Sequence, residues 1–288
     1  MSAEPSARRA DWPALWSKLG SVLGLAFVVT LFAVLRPHTF LTADNFQIML
    51  LQTAVVGTAA LGMTLIIISG GIDLSIGSNI ALCTVVIALL LQQHVSPVVA
   101  ALGGIATGAA CGALIGLLIT RLNLTPFIVT LGMWGTLRGA AKGLASETMV
   151  AAPSTWLNDL LQSLRPQNRW MIFPPGVWLM LVLTLFVGAL LRYTRFGRHI
   201  FAIGSNEQTA RLCGVPVKRT KLLIYIVGLA FAGIAGVLQF SYLTVGDPTT
   251  ANGLELAVIA AVVIGGASLN GGEGSRSVPI DSRSQKSP

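Results

Sequence analysis

The stretch between Arg36 and Arg121 most limits what this chain can fold into, because it contains no Lys or Arg and only two acidic residues, Asp44 and Asp73. It therefore holds several uncharged apolar runs, and a run of about 20 apolar residues is long enough to cross a bilayer as a helix. Of the 288 residues, 53% are hydrophobic and 10% are charged, whereas about a quarter of a typical soluble domain is charged. The sequence predicts an integral membrane protein.

The apolar runs predict an all-α, polytopic transmembrane helical bundle with about eight spans. The predicted spans are 19–35, 48–69, 72–91, 95–119, 124–137, 172–191, 222–243 and 253–269. Residues 1–18 are predicted to be a cytoplasmic N-terminal tail, because the loops on the same side, 192–221 above all, hold most of the Lys and Arg. Membrane orientation explains the net charge of +8 better than nucleic-acid binding does.

The segment 70–78, Gly-Gly-Ile-Asp-Leu-Ser-Ile-Gly-Ser, places the Asp73 carboxylate between two apolar runs. Such a group is costly in hydrocarbon and is normally used, paired or hydrated. It could mark a polar turn at the membrane surface, accept backbone N–H groups at the start of a half-helix, or contact a solute. Ser75 and Gly77 suit a helix start, which favours the second role.

Candidate residues for organising helices or lining a translocation path cluster in this segment. They are Gly70, Gly71, Asp73, Ser75, Gly77 and Asn79. Further polar groups within predicted spans are Gln52, Thr64, Ser69, Thr130 and Gln239.

Two glycine patterns add predictions about packing and symmetry. The segment 265–275 echoes 70–78 with a Gly-Gly start, a leucine and a closing Gly-Ser. This echo predicts inverted-repeat halves, as in many transporters, although two glycine-rich turns can also match by chance. Glycines at 104, 108, 112 and 116 form a four-residue stripe, which predicts a closely packed helix face.

The largest polar segment, 192–221, predicts a short helix. Ser205 or Asn206 can cap its start, and Gly214 can end it. Position alone leaves two roles open, an element on the lipid surface and a docking element for a partner. The loop 146–171 is predicted to lie on the opposite side, either with a short surface helix near Trp156 or as a plain connector.

No enzyme or metal site is predicted. Three widely spaced cysteines and three histidines without ligand spacing give no metal site. The spans lack a metalloprotease motif, a serine elbow and paired carboxylates, so no catalytic residue is assigned.

Four ordered motifs between residues 40 and 275 resemble the sugar-type permease subunits of bacterial ATP-binding-cassette importers, the ribose, xylose, arabinose and galactose group. The motifs are residues 60–78, residues 125–133 with Arg138-Gly139, Gly197-Arg198 with 202–207 and 210–214, and Gly265-Gly266 with 271–272 and 274–275.

The resemblance implies a permease domain over 19–275 that moves a monosaccharide across the bacterial inner membrane. The implied partners are a separate ATPase that binds ATP and Mg²⁺, a periplasmic sugar-binding protein, membrane lipid, and a second permease subunit in a homo- or heterodimer. This chain would hold no cofactor. An ion-coupled secondary transporter of a small polar solute is the alternative.

The resemblance also makes 192–221 a coupling loop that docks on the ATPase. Its docking residues would be Asn206, Glu207, Ala210, Arg211 and Gly214. Full-length relatives would have about ten spans. Residues 276–288 depart from the family and are predicted to be a disordered tail after a truncated C-terminus.

Overall fold

The computed structural model describes residues 12–162, 172–269 and 271–272, and it divides the chain into two compact units, 1–49 and 50–288. The predicted tail 276–288 lies outside the described residues. The helices are α1 (Trp12–Leu35), α2 (Pro37–Phe40), α3 (Ala43–Ile68), α4 (Ile76–Gln92), α5 (Pro97–Arg121), α6 (Pro126–Leu144), α7 (Pro175–Tyr193), α8 (Arg195–Ser205), α9 (Glu207–Leu212), α10 (Val217–Leu243) and α11 (Leu254–Ile264).

In the first unit, the chain turns sharply between α1 and the start of α3. Proline at position 37 opens α2, where its missing N–H costs no hydrogen bond. Phe32 and Phe40 stack with their ring centroids 5.8 Å apart, and Asn45 Nδ2 donates to the Phe40 carbonyl at 2.9 Å. These local contacts fix the turn.

Every predicted span contains a helix, so the all-helical prediction is confirmed. Among the described residues, four helices are long and apolar enough to cross a membrane, namely α3, α5, α7 and α10. Shorter apolar helices lie at 23–35, in α4 and in α11.

The prediction of a full span over 253–269 is wrong. Helix α11 has 11 residues, and at 1.5 Å per residue it covers about 16 Å, roughly half of a hydrocarbon core. Left-handed backbone at Ala251 and Gly253 precedes it, and left-handed Gly266 follows it. Each of these conformations interrupts a helix, and apolar composition does not reveal them.

The predicted fifth span, 124–137, ends just before Arg138 and so implies that Arg138 lies in the following loop, which is also wrong. Helix α6 continues to Leu144, so Arg138 lies within the helix. Its Nη1 donates to the carbonyls of Pro248 and Thr250 at 3.0 and 2.7 Å. Because these carbonyls satisfy part of the guanidinium, the charge need not end the helix.

Close packing of α5 on α10 forms the centre of the second unit. A side chain at Gly108 would collide with the Leu229 carbonyl, and one at Gly112 would collide with the Tyr225 carbonyl. The predicted close-packed glycine face is therefore confirmed, and the structure identifies α10 as its main partner.

The loop after α6 packs against the C-terminal end of α10. Strands β1 (Val150–Ala151) and β2 (Val245–Gly246) pair antiparallel. The 3₁₀ helix Trp156–Leu160 confirms the predicted short helix. Ser241 Oγ accepts from the Leu161 N–H at 2.9 Å and donates to the Asn158 carbonyl at 3.0 Å. The rest of this loop, 163–171, lies outside the described residues.

The polar segment 192–221 contains the predicted short helix, α9. Asn206 is its cap, since Oδ1 accepts from the Thr209 N–H at 2.9 Å. Gly214, in the left-handed region, follows the helix end. The sequence interpretation missed α8, whose start is capped by Thr194 through a 3.1 Å bond from the Gly197 N–H.

Candidate functional site

The first glycine turn, residues 69–75, leads the chain from the end of α3 back into the bundle. Gly70 is left-handed with φ 81°, and the Gly71 N–H reaches back to the Ile66 carbonyl at 3.0 Å. This is the arrangement by which a glycine ends a helix. The chain therefore leaves α3 at a sharp angle, and α4 starts inside the bundle rather than at its edge.

Asp73 forms a hydrogen-bonded turn directly before α4. The side chain is completely buried, and its Oδ1 accepts from the Ser75 N–H at 2.7 Å and from the Ser75 hydroxyl at 2.6 Å. Ser75 directly precedes α4. Asp73 thus forms an Asp-x-Ser turn directly before α4 and accepts no N–H group of the helix itself, so its helix-organising role stays a prediction.

A hydrogen bond of Asn79 shows how deep in the bundle α4 begins. Its Nδ2 donates to the Leu229 carbonyl at 3.4 Å. Leu229 lies close to the middle of α10, a helix of 27 residues that extends about 40 Å. The first turn of α4 thus lies near the middle of the longest helix. Thr130 holds the first glycine turn from α6, because its Oγ1 donates to the Ile72 carbonyl at 3.2 Å.

A second irregular segment, the re-entrant segment 247–253, approaches the same place from the other end of α10. Asp247 Oδ1 accepts from the Thr249 N–H at 2.8 Å and from its hydroxyl at 2.7 Å. Asp73 makes the same pair of bonds to Ser75. Two Asp-x-Ser/Thr turns of identical hydrogen bonding therefore lie between α3 and α4 and between α10 and α11.

Gly77 brings the re-entrant segment against α4. A side chain at Gly77 would collide with the Ala251 carbonyl and would lie 2.5 Å from Glu255 Oε2. Gln239 Nε2 also holds the segment through a 2.8 Å bond to Thr250 Oγ1. The absence of a Cβ at position 77 allows the starts of α4 and α11 to meet.

Several buried polar atoms in this region lack a hydrogen-bond partner among the described residues. They are Asp73 Oδ2, Ser78 Oγ, Arg138 Nε and Nη2, Tyr225 OH and Glu255 Oε2. The sequence interpretation missed Tyr225 and Glu255 as site residues, because both lie in or beside apolar runs and take their places only through folding. An acid beside the glycine at position 253 was the one available signal for Glu255.

Of the remaining predicted path residues, Gln52 and Thr64 lie outside this site, and Ser69 begins the first glycine turn. Thr64 Oγ1 and Ser69 Oγ donate to carbonyls of their own helix, and Gln52 is exposed. Hydrogen bonding back to the preceding turn is the ordinary way for such hydroxyls to be satisfied in an apolar helix.

The predicted docking residues lie together on and around α9 but differ in accessibility. Glu207 binds Arg211 at 3.2 Å and Lys221 at 2.5 Å, which ties α9 to α10. Ala210 is buried, whereas Asn206 and Gly214 are exposed.

The most accessible apolar side chain on α9 is Leu212, which is 89% exposed. It stands next to Arg211, whose side chain is 63% exposed. The sequence interpretation missed Leu212, although a leucine in a short polar helix is a usable signal. Arg211 and Leu212 thus form an exposed pair of one cation and one apolar side chain.

Helix α8 connects this surface to the first glycine turn. A side chain at Gly204 would collide with the Ile68 carbonyl and would lie 2.5 Å from the Gly272 N atom. The Gly272 N–H itself donates to the Ile68 carbonyl at 2.9 Å. Main-chain atoms of α8, of the end of α3 and of the second glycine turn, residues 265–272, therefore meet at one junction.

Comparison with known proteins identifies the family. A model of the family described as branched-chain amino acid transport system, permease component, matches residues 45–275. The chain belongs to this permease family. The permease is 36% identical over 269 residues to the ribose import permease protein of Escherichia coli (strain K12), which covers 93% of this chain and 83% of that protein.

Two further relatives of the permease are named for other sugars. It is 34% identical over 270 residues to the L-arabinose ABC transporter permease protein of Azospirillum brasilense, covering 94% of this chain and 78% of that protein. It is 34% identical over 261 residues to the D-allose transport system permease protein of Escherichia coli (strain K12), covering 90% and 78%. No solved structure matches the permease.

Proposed function

We propose that this permease is the membrane subunit of an ATP-driven importer that carries a monosaccharide across the bacterial inner membrane. The observation that carries the proposal is the likeness, over at least 90% of the chain, to permeases named for ribose, L-arabinose and D-allose. The N-terminus is cytoplasmic, because this orientation places the basic segment 192–221 on the cytoplasmic side.

The importer has three kinds of partner in this proposal. A cytoplasmic ATPase binds ATP and Mg²⁺ and docks on α8 and α9, a periplasmic protein delivers the sugar, and a second permease subunit completes the path. Exposed Arg211 and Leu212 support the docking assignment, since a charged group beside an apolar side chain is a common anchor at protein interfaces.

Closure of the ATPases on ATP would move α8, and the Gly204 junction would pass this movement to the first glycine turn. Backbone atoms in van der Waals contact cannot absorb a displacement as a flexible side chain can. The movement therefore reaches Asp73 and the start of α4, where the path would open and close.

The two halves are related by an inverted repeat in this proposal, with α3 and α4 in one half and α10 and α11 in the other. Glycines 62 and 228 pack α3 against α10, and each helix is followed by an Asp-x-Ser/Thr turn and a shorter helix. The matching turns are thus those of Asp73 and Asp247. Gly271, in the segment of the sequence echo, lies beside the first glycine turn instead, where it approaches Gly70.

Reconstitution tests the function. The permease, its ATPase and its binding protein are placed in liposomes, and uptake of D-ribose, L-arabinose and D-allose is measured with internal or external ATP. ATP-dependent uptake of one of them that also requires the binding protein is the expected result. Uptake driven by an ion gradient without the ATPase would instead establish the secondary-transporter alternative.

Docking is tested by co-purification. Arg211→Glu should reduce recovery of the ATPase with the permease, because the exposed cation becomes an anion at the proposed contact. Arg121→Glu, at the exposed end of α5, is the matched control. Equal recovery with both variants would remove α9 from the docking surface.

A further inference from the structure

A cavity of about 230 Å³ lies on the side of the bundle that carries the basic segment 192–221. Its wall is formed by the end of α5 with the loop that follows it, by the first residue of α6, and by α9 with the start of α10. It is far larger than the about 10–15 Å³ that one water needs, but smaller than the about 300–1,000 Å³ of a typical small-molecule pocket. The cavity therefore has room for a small polar group rather than for a whole ligand.

Positive charge dominates the wall of this cavity. Arg211, Lys218 and Lys221 line it, and the only carboxylate among the lining residues is that of Glu207. Glu207 is shared between two of the cations, since it binds Arg211 at 3.2 Å and Lys221 at 2.5 Å. Lys218 forms no ion pair within the described residues. Three cations against one carboxylate leave the wall with a net charge of +2, which attracts an anion.

Neutral hydrogen-bond donors face the cations across the cavity. They are the side-chain amide of Asn123 and the hydroxyl of Thr125, both in the loop between α5 and α6. Thr125 directly precedes α6, and its side chain does not cap that helix, so the hydroxyl can donate to a ligand. A phosphate group has several acceptor oxygens that point in different directions. It therefore suits donors on both sides of the cavity better than a planar carboxylate does.

The cavity also lies at the level where lipid headgroups are expected. Helices α5 and α10 are both long and apolar enough to cross a membrane, and the cavity is found where α5 ends and α10 begins. Leu124 lines the cavity and is exposed, and Phe127 and Ile128 in the first turn of α6 are 52% and 66% exposed. Acyl chains can cover these apolar side chains while a phosphate occupies the cavity, whereas a soluble anion would leave them uncovered.

We propose that this cavity binds the phosphate group of an anionic membrane phospholipid, whose acyl chains lie along the exposed start of α6. Basic pockets between membrane helices on the cytoplasmic side are suited to lipid headgroups in general. The bound phosphate would connect the loop between α5 and α6 to α9, the helix that the ATPase is proposed to contact. The inference adds a ligand to the permease and does not depend on which solute the permease carries.

The experiment uses the purified permease, stripped of lipid in an uncharged detergent. Binding of phosphatidylglycerol is titrated by native mass spectrometry, and phosphatidylcholine with the same acyl chains serves as the lipid without net charge. Lys218→Gln removes the unpaired cation of the cavity. Arg219→Gln is the matched control, because Arg219 is the exposed neighbour of Lys218 on α10 and does not line the cavity. Denaturant unfolding verifies that each variant is folded.

The unsubstituted permease should bind phosphatidylglycerol about 25-fold more tightly than phosphatidylcholine. Lys218→Gln should lower the affinity for phosphatidylglycerol about fivefold, since each basic residue near an anionic lipid contributes about that factor. Arg219→Gln should leave this affinity nearly unchanged, and Lys218→Arg should retain it because the charge stays. If Lys218→Gln does not fold, Lys218→Met, which keeps the apolar stem, replaces it in the comparison.

Other results overturn the lipid site. Equal losses for Lys218→Gln and Arg219→Gln would mean that the basic surface as a whole attracts the lipid, and equal affinity for both lipids would mean that the cavity does not select an anion. Displacement of phosphatidylglycerol by an equal concentration of inorganic phosphate would assign the cavity to a soluble phosphate compound. Weaker ATPase co-purification of Lys218→Gln with unchanged lipid affinity would assign it to an acidic side chain of the ATPase.

Discussion

Replacement of Asp73 separates its role as a hydrogen-bond acceptor from a role that needs its charge. In Asp73→Ala, the Ser75 N–H and hydroxyl lose the acceptor that holds them at 2.7 and 2.6 Å. Each buried polar group left unpaired costs about 1–3 kcal/mol, which gives about 2–6 kcal/mol for the two groups. This loss is comparable to a large part of the stability of a typical domain.

Asp73→Asn keeps an oxygen at the Oδ1 position and places an amide donor where Oδ2 now lies. The two bonds to Ser75 persist as neutral ones, so we expect a loss of about 1–2 kcal/mol from weaker acceptance. The new N–H group takes the place of Asp73 Oδ2, which has no hydrogen-bond partner among the described residues. The substitution therefore breaks no other hydrogen bond.

Two measurements decide the matter. Denaturant unfolding of the purified permease in detergent should rank the proteins as unsubstituted, Asn variant and Ala variant, with a clear gap before the last. Uptake in liposomes should follow the same order, with the Asn variant retaining much of the activity. An Asn variant that assembles normally but loses uptake as fully as the Ala variant would refute the acceptor role and indicate that the negative charge itself is needed.

Three further predictions follow from single contacts. Gly112→Val should destabilise the permease by about 1–3 kcal/mol in denaturant unfolding, because the new side chain is overpacked against the Tyr225 carbonyl. Gly132→Val is the control and should change stability little, since open space surrounds Gly132. Equal effects of the two substitutions would contradict the packing argument. Leu212→Ser should lower ATPase co-purification without changing stability, and a fall in stability instead would show that Leu212 is a folding residue. Ser241→Ala should lower the free energy of unfolding by about 1–3 kcal/mol, because the Leu161 N–H loses its acceptor. An unchanged midpoint of denaturant unfolding would mean that water replaces the hydroxyl.

The helices could be predicted from the sequence because each apolar run has to satisfy its own backbone in a membrane. The run before Ser69 became α3, and the cap at Asn206 defined α9, since both signals act over a few residues. The glycine stripe on α5 predicted a close contact but not its partner. That partner, α10, is distant in sequence, and nothing local specifies it.

The candidate site could be predicted only in part, for the same reason. Asp73 stood out because it is a lone acid in an apolar stretch. Arg138 looked like a loop charge, because the carbonyls that satisfy it lie more than a hundred residues later. Glu255 was hidden for a related reason, since left-handed backbone at Gly253, rather than composition, turns that stretch into a half-length helix.

The junction at Gly204 separates two requirements that a family of importers must meet. Its contacts are made by main-chain atoms, so the fit depends on missing side chains at Gly204, Gly271 and Gly272. Residues away from this junction can then vary between related permeases while the main-chain contact itself stays the same. An engineered permease could accordingly exchange its sugar-facing residues and keep its original ATPase.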